Sequence, residues 1–183
     1  MPARIVLLNG VGSAGKSSIA RALQEITATP FLHVAMDAFL DMLPAAVQDH
    51  PGTFRYEALP GDGPPEIAIR TGPLGERLMR GMRRAVAALA AEGNDLIVDE
   101  VMVADDWVDY ARLLAPFTVH LVGVHAPIEV LEERERARGV RLIGLARWQI
   151  EHVHRGLRYD LEVDTSKATP LACASIIKET FGL

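Results

Sequence analysis

A chain of 183 residues, 49% hydrophobic and 23% charged, is sized for one globular domain, taken as 1–183, and has the balance of a soluble α/β protein, which excludes a disordered chain. A net charge of −5, with basic residues gathered around positions 134–158, argues against a nucleic-acid partner, and no apolar run reaches the roughly 18 residues of a membrane span. The first ten residues lack a signal-peptide cleavage pattern, so the cytoplasm is the expected location, and the one cysteine, Cys173, reads as a small buried hydrophobe without a catalytic role.

The first apolar run, Arg4–Leu8, predicts a strand that leads directly into Gly10-Val11-Gly12-Ser13-Ala14-Gly15-Lys16-Ser17. This is the full eight-position phosphate-loop pattern, and the helical segment 17–27 follows it as the pattern requires. Glycines at Gly10, Gly12 and Gly15 let backbone N–H groups, with those of Ser13, Ala14, Ser17 and Ser18, converge on phosphate oxygens beside a helix start that carries partial positive charge. Lys16 then reaches the β- and γ-phosphates and the Ser17 hydroxyl ligates magnesium, which implies ATP and Mg²⁺ as cofactors. An ordinary glycine-rich turn is the bland alternative, and the correct flanks argue against it.

A second strand, Phe31–Met36, ends at Asp37. If the strand order is that of small kinases, Asp37 faces the phosphate loop and is a candidate base that orients an acceptor hydroxyl for in-line attack. The competing role is an N-cap for a helix over 38–43. Met36, Phe39, Leu40, Met42 and Leu43 cluster behind it, as core or, for Phe39 and Leu40, as a substrate wall. The proline-rich stretch 44–73, with Pro44, Pro51, Pro60, Pro64, Pro65 and Pro73, breaks the alternation of strand and helix and is expected to be an acceptor-side loop.

After a helix over 74–91, the strand Leu96–Val98 ends in Asp99 and Glu100. An apolar strand ending in an acid suits a magnesium-side carboxylate, and Asp99, directly after the apolar triplet, is preferred over Glu100. Helix 105–115 and strand Thr118–Val124 follow, then helices 127–138 and 143–155. Arg134, Arg138 and Arg141 recur at i, i+4 and i+7, so 134–158 reads as a lid presenting guanidinium groups to a γ-phosphate. The interleaved Glu132, Glu133 and Glu135 leave a salt-bridged surface helix as the alternative. His152 and His154, two apart, fall on different helix faces and suggest no metal site, and Trp107 and Trp148 read as packing residues. A short strand at Leu161–Val163 and a helix over 170–181 complete a predicted P-loop NTPase fold of nucleotide-kinase type. It is a five-stranded parallel sheet with helices on both faces and its ligand at the carboxyl ends of the strands.

Several pieces together resemble chloramphenicol phosphotransferase and the chloramphenicol phosphotransferase-like proteins over essentially the whole chain. They are Leu7-Leu8-Asn9-Gly10 through Ser17, Asp37 with Met42-Leu43-Pro44, Ile97-Val98-Asp99, Val122-Gly123-Val124, Arg134-Glu135 with Ala137-Arg138-Gly139 and Arg141, and the run from His154 through Gly156, Tyr159-Asp160 and Glu162-Val163-Asp164-Thr165. The resemblance implies ATP-dependent phosphorylation of the primary hydroxyl of chloramphenicol, with Asp37 as base, Lys16 on the phosphates, and Arg134, Arg138 and Arg141 in the lid. Thr53-Phe54-Arg55-Tyr56 and Gly61-Asp62-Gly63-Pro64-Pro65 match poorly, which leaves the acceptor open. Shikimate- or gluconate-like kinases and zeta-type toxins acting on nucleotide sugars are the alternatives of the same chemistry. A nucleotide switch is a different class, for which Asp37 and three lid arginines would have no use. The expected partners are ATP and a hydroxylated small molecule, and self-association stays open.

Overall fold

The computed structural model of the protein describes residues 2–139 and 142–183. In chain order the elements are β1 (Arg4–Asn9), α1 (Lys16–Ile26), β2 (Phe31–Ala35), α2 (Met36–Leu40), β3 (Phe54–Ala58), β4 (Ile67–Thr71), α3 (Pro73–Ala91), β5 (Asp95–Glu100), α4 (Ala104–Leu113), β6 (Thr118–His125), α5 (Ile128–Arg138), α6 (Leu145–Ile150), β7 (Leu161–Asp164) and α7 (Pro170–Phe181). The five strands predicted for the main sheet are the five observed, in the order β2-β5-β1-β6-β7, and every pairing is parallel.

Successive side chains of a strand point to opposite faces, and here both faces are apolar. Val6 and Leu8 of β1, Ile97 of β5 and Val122 and Val124 of β6 pack with Ile19 and Leu23 of α1, Leu131 of α5 and Cys173 and Ile177 of α7. Ile5, Leu7, Leu96, Val98 and Leu121 face the other way, onto Met79, Met82 and Val86 of α3 and Tyr110 of α4. Each such side chain contributes about 1.5–3 kcal/mol by leaving water, which is why the strands read as continuous apolar runs. The chain leaves central β1 for β2 at one edge and later fills the other side with β6 and β7, so β1 marks the switch point where α/β sheets open a crevice.

Three local expectations are corrected. The stretch 44–73 is not a loop throughout: Phe54-Arg55-Tyr56-Glu57, which alternates apolar and charged residues, pairs with Ile67–Thr71 as the antiparallel hairpin β3–β4. Pro60, Pro64 and Pro65 lie in its connection, where no ladder N–H is needed. The helix after Asp37 spans Met36–Leu40 rather than 38–43, with Ala35 as its N-cap residue and Asp37 in its first turn. The helix expected over 143–155 is only Leu145–Ile150, because the Val153 carbonyl accepts instead from Asn9 Nδ2 at 3.2 Å, tying this segment to the end of β1.

Candidate active site

The phosphate loop begins where β1 leaves the sheet. A side chain at Gly10 would meet the Val124 carbonyl oxygen at 2.3 Å, so only glycine fits between β1 and β6 there. Ser13 (φ 62°) and Gly15 (φ 95°) both adopt left-handed backbone, and Ser13 is the one non-glycine residue among the described residues to do so. Such a conformation costs about 1–3 kcal/mol outside glycine and persists where surrounding contacts over-determine it.

Lys16 opens α1 and curls over the loop, its Nζ donating to the carbonyls of Gly10 (2.7 Å) and Val11 (2.9 Å). It also lies 4.0 Å from the Asp99 carboxylate. Ser17 Oγ donates to Asp99 Oδ2 at 2.5 Å, and His33 Nε2 stands 3.5 Å from the same oxygen. Burial opposes ionisation of Asp99, but His33, Lys16 and Ser17 together outweigh it and hold its carboxyl below the usual range. Asp99 is therefore an anion at neutral pH beside a hydroxyl, the hard oxygen set a magnesium ion takes.

The strand register separates the two acids at the end of β5. Glu100 points to the other face, fully buried, where it accepts from the Tyr110 hydroxyl at 2.6 Å and lies 3.9 Å from the Arg83 guanidinium. Burial pushes its carboxyl up to about 7, against the Tyr110 hydrogen bond and Arg83. Arg83 is itself held by Asp106 and Asp109, each at 2.9 Å.

Two hollows meet at this edge. One is a cleft lined by Gly12, Ser13, Gly15, Lys16, Ser17, Asp99 and Arg138. The other is a cavity of about 460 Å³ walled by Phe54, Tyr56, Ile69, Met79, Leu145 and Trp148, with Glu76, Asp105, Asp106 and Arg80 among its polar groups. Met36, Asp37, Glu100 and Val101 line both. Asp37 is exposed at that junction.

The predicted lid arginines part company. Arg138 lines the phosphate cleft from the end of α5. Arg134 instead donates to the Ser13 carbonyl (3.3 Å), to Thr165 Oγ1 (2.9 Å) and to the Thr165 carbonyl (2.9 Å), and so joins α5 to the loop after β7. Arg141 lies outside the described residues. Ser18 is exposed on the first turn of α1, and the Ala14 carbonyl accepts from Thr165 Oγ1 at 2.8 Å. Among the described residues no group of three or more histidines, cysteines or carboxylates is placed to hold a metal.

Several residues of the site were not anticipated. Gln149 Oε1 accepts from the Gly12 N–H at 2.7 Å, and the buried Glu135 accepts from the N–H groups of Gly144 (3.1 Å) and Ala146 (2.8 Å) at the start of α6. Trp148, expected to be a packing residue, lines the large cavity and stacks on His152 with ring centroids 4.2 Å apart. Leu40 lines the cavity as the substrate-wall alternative had it, whereas Met42 is exposed. Phe54, Tyr56 and Ile69 reach it from the hairpin. The period-two alternation of Phe54-Arg55-Tyr56-Glu57 was the available signal, obscured by the surrounding prolines.

Known proteins of similar sequence and fold bear on the family and the fold. Two Mycobacterium tuberculosis proteins, one from each of two strains and both named as candidate O-phosphotransferases, are 34% identical over 174 residues, which is 92% of this chain and 77% of theirs. Among solved structures, the M. tuberculosis APS kinase in complex with AMPPNP and APS superposes with a TM-score of 0.69 at 15% identity, over 100% of this chain and 99% of that one. A gluconokinase from Sinorhizobium meliloti superposes with a TM-score of 0.62 at 20% identity, over 99% and 96%. The fold is thus that of the P-loop kinases. The family model described as chloramphenicol phosphotransferase-like protein matches residues 3–182, and the chain accordingly belongs to that family, as a phosphotransferase acting on a hydroxyl group.

Proposed function

We propose that the chain transfers the γ-phosphoryl group of ATP to a hydroxyl of a small molecule held in the 460 Å³ cavity, with chloramphenicol or a related compound as the leading acceptor. The observation that carries this reading is the shared wall: Asp37 lines both the phosphate cleft and the cavity, so a hydroxyl presented from one meets a γ-phosphate held in the other.

The attacking oxygen forms a bond to γ-phosphorus while the bond to the β,γ-bridging oxygen breaks. Asp37 accepts the hydroxyl proton, and ADP departs. Lys16 and the loop amides hold the phosphates, and Arg138 at the cleft wall offsets the charge that spreads over the γ-oxygens. Ser17 and Asp99 fit magnesium, being adjacent hard oxygen donors of which one is anionic. When bound, the ion would neutralise charge on the β- and γ-phosphates. Arg134, through Ser13 and Thr165, is assigned to shaping the nucleotide side of the cleft.

The cavity walls support an apolar, aromatic acceptor. Asp37, Glu76, Asp105 and Asp106 face it, while Arg80 lies 3.6 Å from Glu76 and the guanidinium of Arg83 is committed to Asp106 and Asp109, a balance that disfavours acceptors carrying phosphate or carboxylate groups. The reading implies a soluble, cytoplasmic, one-domain enzyme that needs no nucleic-acid partner. No helix among the described residues is long and apolar enough to cross a membrane. The test is to incubate the purified protein with ATP, magnesium and a panel of chloramphenicol, gluconate, shikimate and a nucleotide sugar, and to record a mass gain of one phosphoryl group. Gain on chloramphenicol alone supports the full reading, gain on gluconate, shikimate or the nucleotide sugar transfers it to that acceptor, and ADP release without any phosphorylated product would remove it.

A further inference from the structure

We infer that Gln149 is a positioning residue that couples the phosphate loop to the acceptor cavity through α6, so that nucleotide bound at one is felt at the other. The inference rests on the nucleotide-binding reading above.

Gln149 is buried and lines the acceptor cavity, yet its Oε1 accepts the Gly12 N–H at 2.7 Å from across 137 positions of sequence. That amide precedes Ser13, where the loop backbone is left-handed at φ 62°. A strained peptide unit needs an external anchor, and Gln149 supplies one with a buried hydrogen bond. The anchor moves only with α6, and α6 is held on its remaining sides. Glu135 of α5 accepts from Gly144 and Ala146, Arg147 pairs with Glu132, and the Gly144 carbonyl accepts from Ile67 N–H of the hairpin at 3.1 Å. A side chain at Gly144 would meet the Pro65 carbonyl oxygen at 2.3 Å, so α6 and the hairpin are in backbone contact. Leu145, Trp148 and Gln149 of this one short helix all face the cavity. The element that fixes the loop is therefore the element against which an acceptor would pack, and a shift of either end is transmitted by one hydrogen bond. Sites joined through a shared rigid element are coupled reciprocally.

The chain has two tryptophans, which makes the coupling readable without knowing the acceptor. Trp107 packs half-buried against the core and is absent from the cavity wall, whereas Trp148 lines it. In a Trp107→Phe parent, emission from Trp148 is followed while magnesium–AMPPNP is titrated, and binding is measured separately by calorimetry. The expected result is a saturable change in Trp148 emission in the parent. Gln149→Met, which keeps the length and loses the acceptor oxygen, should still bind with affinity reduced roughly three- to tenfold and should lose the emission change. Gln149→Glu keeps the acceptor oxygen and should keep the change at saturation. Binding without an emission change in the parent, or an unaltered change in Gln149→Met, overturns the inference while leaving nucleotide binding intact. Absence of calorimetric binding in the parent overturns the functional reading and this inference with it. If Gln149→Met does not melt cooperatively, hydrogen exchange in the parent decides: nucleotide must slow exchange across residues 145–150, and unchanged exchange there overturns the coupling.

Discussion

A helix-capping aspartate and a proton-accepting aspartate predict opposite outcomes on substitution, and the local backbone at Asp37 separates them. Ala35 occupies the N-cap position of α2 and makes no side-chain cap bond, while Asp37 sits in the first turn. There its charge favours the helix dipole by only about 0.3–1 kcal/mol. Asp37→Asn should therefore leave the melting temperature nearly unchanged and lower kcat by roughly 10²-fold or more. A stable variant with wild-type turnover would take the base out of the mechanism. Arg138, exposed at the cleft wall, should act late: Arg138→Ala is expected to depress kcat while the KM for ATP moves little, since a contact made chiefly in the transition state does not assist ground-state binding. A rise in the ATP KM alone would assign the arginine to binding. At this scale the position of the loop between β1 and α1 was legible, because the pattern is contiguous in sequence. Local pattern also pointed to Asp99 rather than Glu100, and it is Asp99 that accepts from Ser17. Gln149 could not be found that way, since a single hydrogen bond between residues 137 apart leaves no periodic trace in the sequence.

Elements were legible where burial imposes a period and illegible where a tertiary contact overrides it. The central strands β1, β5 and β6 are apolar runs buried on both faces and announce themselves, while the edge strands β2 and β7 carry exposed positions at Leu32 and Glu162. The short α6 does not, because its ends are set by groups on other elements: Glu135 fixes its start and Asn9 takes the Val153 carbonyl beyond its end. Glu135 on α5 entered the surface-helix alternative as one of several interleaved charges and the family resemblance beside Arg134, neither of which gave it a structural role, whereas it is completely buried. Replacing it tests this assignment. Glu135→Ala removes the acceptor of two buried N–H groups, and each such orphaned donor costs about 1–3 kcal/mol. Denaturant unfolding should show a loss of at least about 2 kcal/mol, with resistance to proteolysis falling most around residues 142–153. An exposed, salt-bridged glutamate would give less than about 1 kcal/mol, and that result would detach α6 from α5.

For the molecule as a whole, the most informative measurement is stability against pH, because a half-buried histidine and a buried glutamate act in opposite directions over overlapping intervals. Burial, reinforced by His125 and Lys16, lowers His154 to about 4, so the folded state resists its protonation. Its contribution to stability is present above the unfolded value and is lost as pH falls from about 6.5 towards 4. Glu100 has the reverse sign. Its folded carboxyl titrates at about 7, above the value of an exposed glutamate, so the folded state holds a proton that the unfolded chain has released. Stability from that source is present at low pH and declines as pH rises through about 4.5 to 7, by at most about 3 kcal/mol. Between about pH 5 and 6.5 the Glu100 slope therefore opposes that of His154, to which His120, also lowered by burial, adds with the same sign. Glu100→Gln keeps a hydrogen-bonding group opposite the Tyr110 hydroxyl and abolishes one slope, while Arg83 retains Asp106 and Asp109. The melting temperature of this variant minus that of the wild type should then climb between pH 5 and pH 8, by roughly 5–10 °C for a chain of this length. Nucleotide must be left out, because any ligand bound at Asp99 next in sequence would add its own proton linkage. A difference independent of pH would mean that Glu100 is ionised throughout, with Arg83 and the Tyr110 hydrogen bond outweighing burial.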